Sequence, residues 1–409
     1  GAVGMASGNV TIQGTTAEIT AALVTGGSKI TAGSANVIFT DDPTAAELSA
    51  INAKTTGNIT LHDDSQTFSG TASDLSGAFS GGLQNTQTGA VTITDTSGTI
   101  AATTLSGIGS ATDGVVTAAS GGITISGTAT EVTAALVTAG SLVVAGSADV
   151  TITDTGSVAA TVLSAIGAKT GGVVTCSGAL TITGTTAEIT DALVTTNSLV
   201  VASSANVTFG DDPTAAQLAA INPKTSGTIT LNDTAQNFSG TATELAAAFD
   251  GFGTNALSGT ITITGAAPSP TELKTISDAT SGAITLPSTN FTLSASSSVL
   301  ADALSGNFTN YAGNVTLTDA APSAANLAII NNKTSNNNHR RLDINNLELE
   351  IGCYKRAENM GWDETAAACM PAILTLTETT QKGDQKGLMK SIQAKFKEFE
   401  RLIEKLATQ

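Results

Sequence analysis

Aromatic side chains make up only 3% of this 409-residue chain, and there is a single Trp. Without rings to fill a wide interior, a thin core of Val, Ile and Leu is expected rather than a broad globular one. Histidine is scarcer still. With only His62 and His339, no Ser/His/Asp or Cys/His constellation can be assembled. Positive charge is confined: positions 1–338 hold six Lys and no Arg against 23 acidic side chains, a net charge of −17, and the whole chain has the same net charge and a pI near 4.3. That balance excludes a nucleic-acid binder, which needs basic patches. No run of 18 apolar residues is present, so no membrane span is expected. The phosphate-loop, nucleophile-elbow and dinucleotide fingerprints are absent in any strand-to-helix setting.

What the chain has instead is repetition. The segment from Thr11, TIQGTTAEITAALVT…IFTDDPTAAELSAINAKTTGNITL, returns at Thr181 as TITGTTAEITDALVT…TFGDDPTAAQLAAINPKTSGTITL, in register and without a gap. A unit of about 28 residues recurs some twelve times from Asn9 to about Thr334 in two alternating types. Type A reads T-x-x-G-T-x-x-E-[IVL]-x-x-A-L and begins near Thr11, Thr67, Thr124, Thr181, Asn237 and, degraded, Phe291. Type B carries an Asp-rich turn and a P-T-A-A-x-L-x-x-I core or a variant, beginning near Ile38, Thr92, Thr151, Thr208, Thr262 and Thr316. The true period is therefore an A–B pair, as from Thr124 to Thr181, twice the length of the single unit.

Each unit has a legible local plan. Alternating β-branched and small residues from Ser141 to Thr153 predict two short strands with a Gly/Ser corner between them. Asp42-Pro43-Thr44-Ala45-Ala46-Glu47 then signals the start of a short helix, with the second Asp of the pair as its cap, and Leu48 and Ile51 fall on one face. Asn52, Lys54 and Gly57 end it. Stacked units of this kind predict an α/β repeat fold: an elongated parallel β-solenoid with a short helix per 28-residue coil. At about 4.8 Å per stacked strand, twelve coils would span on the order of 55–60 Å. Packed helices need roughly 8–10 Å between axes, so the alternation predicts that A and B helices lie on different sides.

The strings DDPTAAELSAINAKTTGNITL (41–61), DTGSVAATVLSAIGAKTGGVVT (154–175) and SGTATEVTAAL (126–136) resemble repeats of very large secreted or cell-surface proteins of marine bacteria, cyanobacteria in particular. These are often called RTX-like, haemolysin-like or adhesin-like, and related repeats occur in phage of the same hosts. The resemblance covers the chain up to about Thr334. It implies a location outside the cell and a structural or adhesive role, and it transfers no catalytic residue. The calcium-binding nonapeptide G-G-x-G-x-D-x-U-x of RTX proteins is absent, so calcium dependence is not implied.

Composition shifts near Ser335. Positions 339–409 hold 11 basic and 11 acidic side chains, the only Trp (Trp362) and two of the three Cys. The expected organisation is a tag or fragment end over 1–8, the repeat array over 9–334, a linker over 335–342 and a small all-α domain over 343–409. The opening GAVGMASG lacks an initiator Met and a signal peptide, which reads as a fragment or processed piece. In the last segment Leu388, Ile392, Phe396, Phe399, Ile403 and Leu406 fall close to a heptad seam. Such helices either cap the array's last coil or serve oligomerisation and docking.

The candidate sites are few. Asp41, Asp42, Asp211 and Asp212 occupy one repeat position and offer hard oxygen ligands, with calcium as the possible cation. The competing reading is a solvated turn residue followed by a helix cap. Cys353 and Cys369 are the disulfide candidates; Cys176 reads as a small hydrophobe. No catalytic or cofactor-binding residue is expected. The sequence points to a non-enzymatic, acidic repeat protein of the cell exterior, a surface or matrix scaffold fragment whose partner is itself or a cell-surface glycan. The alternative is a virion fibre with a C-terminal trimerisation or docking module. A lyase or hydrolase on a β-solenoid would gather carboxylates and basic residues on one sheet face, and the array holds no Arg.

Overall fold

The computed structural model describes Val3–Gly4 and residues 10–334, apart from 85, 119–121, 177–179, 197, 309 and 310. The helical C-terminal domain expected over 343–409, with Cys353 and Cys369, lies outside the described residues. The chain divides into two compact units, Gly1–Phe252 and Gly253–Gln409.

Among the described residues, one helix follows each repeat's strands. In the N-terminal unit these are α1 (Thr16–Leu23), α2 (Ala45–Asn52), α3 (Ala72–Phe79), α4 (Ala102–Ser110), α5 (Ala129–Val132), α6 (Ala160–Gly167), α7 (Thr186–Leu193), α8 (Ala215–Ile221) and α9 (Ala242–Phe249). α5 runs on into a wider turn over Thr133–Val137. The C-terminal unit holds α10 (Pro270–Ala279), α11 (Ser297–Leu304) and α12 (Ala324–Lys333). Odd-numbered helices belong to type A repeats and even-numbered ones to type B.

The sequence signature of a helix start is realised, with the cap of type B displaced from the expected aspartate. Thr44, not Asp42, caps α2, and Pro43 precedes the cap. The Thr44 hydroxyl accepts from the Glu47 N–H at 3.3 Å while the Glu47 carboxylate accepts from the Thr44 N–H at 2.9 Å, a reciprocal box that satisfies two orphan donors. Seven of the twelve described helices carry this box. α4 and α6 begin on Ala101 and Ala159 and have no side-chain cap. Leu48 and Ile51 are both fully buried, as their spacing predicts.

Among the described residues the strands pair only in parallel. Thr11–Gly14 pairs with Asn36–Phe39, which pairs with Ile59–Thr60. A longer ladder runs Gly98–Ala101, Ile123–Gly127, Asp149–Ile152, Val174–Cys176, Val200–Val201. Another joins Phe68–Gly70, Val91–Ile93, Val116–Thr117 and Val143–Val144, and a fourth Ser157–Ala159, Thr181–Gly184, Asn206–Phe209 and Ile229–Thr230. Alternate residues such as Val37, Phe39, Ile123, Ile125, Val150 and Ile152 point inward beneath the helices. The corner predicted between Ser141 and Thr153 is present, with strands at Val143–Val144 and Asp149–Ile152. Val3–Gly4 pairs with Ile30–Thr31. In the C-terminal unit Ile261–Thr264 pairs with Ile284–Thr285, and Leu293–Ala295 with Val315–Leu317.

One expectation is overturned. Within the N-terminal unit each helix from α1 to α9 packs on the next, and α10, α11 and α12 do so in theirs; A and B helices share one side. The spacing conflict is resolved by slip. Ladder partners such as Ile125 and Val150, or Thr99 and Thr124, are closer in sequence than the first residues of successive helices, Ala102, Ala129 and Ala160. Relative to the ladder, the helix start drifts by two residues from Ala102 to Ala129 (27 less 25) and by six from Ala129 to Ala160 (31 less 25), so successive helices are offset along the strands as well as across them. The slip also ends each ladder: Thr11–Gly14 lies directly before its helix, Asn36–Phe39 farther from α2, and Ile59–Thr60 farther still from α3.

Helix neighbours are not equivalent. In the N-terminal unit a B helix approaches the following A helix more closely than an A helix approaches the following B helix. The glycine of the type A motif lies at this closer joint. A Cβ on Gly70, Gly127, Gly184 or Gly240 would stand 2.9–3.3 Å from the Cβ of Ala45, Ala102, Ala160 or Ala215, the first residue of the preceding B helix. A bare backbone lets the two elements meet there without a shift of the alanine.

Candidate functional site

The Asp-rich turns are the most charged feature of the repeats, and their carboxylates face the neighbouring repeat. Asp41 Oδ1 accepts from both the N–H and the hydroxyl of Thr16, at 2.7 Å each, across 25 residues. Asp211 does the same for Thr186 at 2.6 Å. Asp95 takes the N–H of Ala72 at 2.7 Å, Asp154 that of Ala129 at 2.6 Å, and Asp319 that of Ser297 at 2.9 Å. The first aspartate thus caps the helix of the preceding A repeat, contrary to the reading of a solvated turn residue beside its own helix's cap. A carboxylate at a helix N-terminus meets an unsatisfied donor and the positive end of the macrodipole.

These bonds tune the acids. The hydroxyl and then the N–H of Thr16 hold Asp41 below the usual carboxylate range, and the hydroxyl of Ser297 does so for Asp319. The Thr15 N–H and hydroxyl similarly lower Glu18. The second aspartate reaches the other way. Asp42 Oδ1 lies 3.4 Å from His62 Nδ1, and Asp212 Oδ1 accepts from Asn232 Nδ2 at 3.2 Å. Asp63, held low by the hydroxyl and N–H of Ser65, closes a local turn. Of the four candidate calcium ligands, Asp41 and Asp211 each commit one oxygen to a helix, and Asp42 and Asp212 each meet a polar side chain later in their own B repeat, His62 and Asn232. No group of three or more His, Cys, Asp or Glu side chains placed to hold a metal ion occurs among the described residues.

A second polar motif has no local reading in the sequence, although its signal recurs there as Thr-x-Gly after type B helices. The Thr55 hydroxyl donates to the Ala35 carbonyl of the preceding repeat and accepts from the Gly57 N–H at 3.0 Å. Thr112 with Gly114, Thr170 with Gly172, Thr225 with Gly227 and Thr280 with Gly282 repeat the arrangement. A Cβ on any of these glycines would fall 1.9–2.4 Å from a backbone carbonyl oxygen. Glycine is obligatory there, and the threonine satisfies a corner carbonyl that water does not reach.

The remaining polar groups also serve packing. Asn52 and Asn222 donate to carbonyls at the ends of α3 and α9, Gly77 at 2.8 Å and Ala247 at 2.9 Å. Lys274 ties Asp278 at 2.7 Å to Asp302 at 3.1 Å, linking α10 and α11 and raising the lysine's pKa. Burial pushes the Cys176 thiol up to about 11, as befits an apolar filler, and Tyr311, whose hydroxyl donates to the Phe291 carbonyl, up to about 12. No helix among the described residues is long and apolar enough to cross a membrane. No family model matches the chain, and comparison with curated proteins and with solved structures finds no match.

Proposed function

We propose that this chain is a non-enzymatic structural or adhesive repeat protein of the cell exterior, a fragment of a surface or matrix scaffold whose parallel ladders and helices form a β-solenoid. The observation that carries the reading is where the repeated polar side chains go. Asp41, Asp95, Asp154, Asp211 and Asp319, and the hydroxyls of Thr55, Thr112, Thr170, Thr225 and Thr280, bond from one repeat to the next. Such groups hold one-dimensional stacks together, and stability then grows repeat by repeat. The excess of acid suits a solvated, self-repelling surface.

The alternative, a virion fibre, draws on the near-heptad stripe from Leu388 to Leu406. Light scattering on the full chain and on a chain ending at Asn338, each with calcium or a chelator, separates the two. A full-length trimer that becomes a monomer on truncation supports the fibre. A monomer in all conditions that binds a surface-glycan array supports the adhesive scaffold. A trimer insensitive to truncation contradicts both.

A further inference from the structure

The joints between repeats alternate in kind, and the alternation predicts where the N-terminal unit opens. From a B repeat to the following A repeat, the helices are close. Glycine receives alanine as described, and Asn52 and Asn222 grip the end of the next helix. From A to B the helices are farther apart, and two features hold the joint. On the sheet side the Thr-x-Gly corner binds the carbonyl of the preceding repeat, as Thr112 binds Gln87. On the helix side a single aspartate in the turn before the B helix reaches back to the first N–H of the A helix. The intervals between helix starts follow the same alternation: Ala72 to Ala102 and Ala129 to Ala160 are longer than Ala102 to Ala129 and Ala160 to Thr186. The extra residues form the turn that carries the aspartate.

We infer that the cooperative block of the N-terminal unit is a B–A pair, and that the joint between blocks is a clasp: the aspartate fastens the helix side, and the Thr-x-Gly corner acts as the pivot when it releases. Opening at α3–α4 or α5–α6 leaves α2–α3, α4–α5 and α6–α7 packed. Such a stack extends two repeats at a time and not one by one.

Hydrogen exchange on the full-length chain tests this, with Asp95→Ala, Asp154→Ala and the corresponding Asn variants. Loss of the clasp in Asp95→Ala should raise exchange at the facing parts of α3 and α4 by about tenfold, the population change for a bond of about 1.4 kcal/mol. Exchange where α2 meets α3 should change less than twofold. Asp154→Ala should do the same at α5 and α6. Asn keeps an oxygen for the same N–H, so both Asn variants should exchange within about threefold of the parent. Exchange rising equally at the B-to-A and A-to-B interfaces would overturn the inference, as would Ala and Asn variants that behave alike.

Discussion

The stretch 11–80 recurs as 181–250, and comparing the two copies separates what the repeat requires from what it tolerates. The clasp is the same in both, Asp41 to Thr16 and Asp211 to Thr186. So are the corner threonines Thr55 and Thr225 and the edge-to-face rings of Phe68 with Phe79 and Phe238 with Phe249, at 5.2 and 5.1 Å. Other positions differ. Glu47 becomes Gln217 without loss of the capping box, because that bond needs an oxygen and not a charge. Ser49 and Gly77, which face each other between α2 and α3, become Ala219 and Ala247 together. His62 becomes Asn232, and each meets an aspartate. Geometry is kept where a backbone group or a buried ring pair depends on it and drifts at less buried contacts.

The most damaging way to probe that equivalence is to empty the core. Leu48→Ala and Leu218→Ala should each cost about 3 kcal/mol and agree within about 0.5 kcal/mol, measured by urea unfolding. A clear disagreement would mean the copies differ in how far their surroundings relax. Gly57→Ala and Gly227→Ala place a methyl against a carbonyl oxygen, 2.3 and 2.1 Å away, and should each cost about 2 kcal/mol. If the alanines are harmless, the corner is not the constraint described above.

The paired change is sharper. A Cβ at Gly77 would lie 2.1 Å from Ser49 Oγ, so Gly77→Ala should bring little gain or a loss in the first copy. Combined with Ser49→Ala it should recover the helix benefit of alanine over glycine, a coupling of about 1 kcal/mol in a double-mutant cycle. Additive effects would count against direct contact. Acid acts on the clasp. Asp41 is held low in the folded chain, so its contribution is complete above the ordinary carboxylate range and is lost as pH falls through the folded value. Asp41→Asn should flatten the acid limb of a stability profile by lowering stability at neutral pH toward its acid value, because the ionised carboxylate is the form that stabilises the fold. Smallest of all, His62→Asn should shift stability by less than about 0.5 kcal/mol, since the pair is half-exposed. A larger change would give that turn a role its twin lacks.

Much of this is legible in the sequence. Period and alternation follow from self-similarity, helix starts from Thr-x-x-Glu, and strand corners from Gly and Ser between β-branched pairs, all of them local signals. What is not legible depends on partners one repeat away. Whether Asp41 caps its own helix or the previous one is decided by how repeats stack, and Thr16 carries no mark of it. The Thr-x-Gly corner does leave a trace, at Thr55, Thr112, Thr170, Thr225 and Thr280, but its meaning lies in the carbonyl of another repeat. The single row of helices is hidden for a similar reason. Strand spacing alone understates the advance per repeat, and no local signal records that strands slide past one another.

That sliding has a further result. From Phe68 to Thr230 each ladder drifts away from its helix and stops only after a new one has started: Gly98–Ala101 opens a ladder while the one through Val91–Ile93 still runs on to Val143–Val144. The seams are staggered like courses of brick. A crack that follows the end of one of these ladders meets the unbroken middle of the next, so the stretch from Phe68 to Thr230 has short sheets without a through-going fault line.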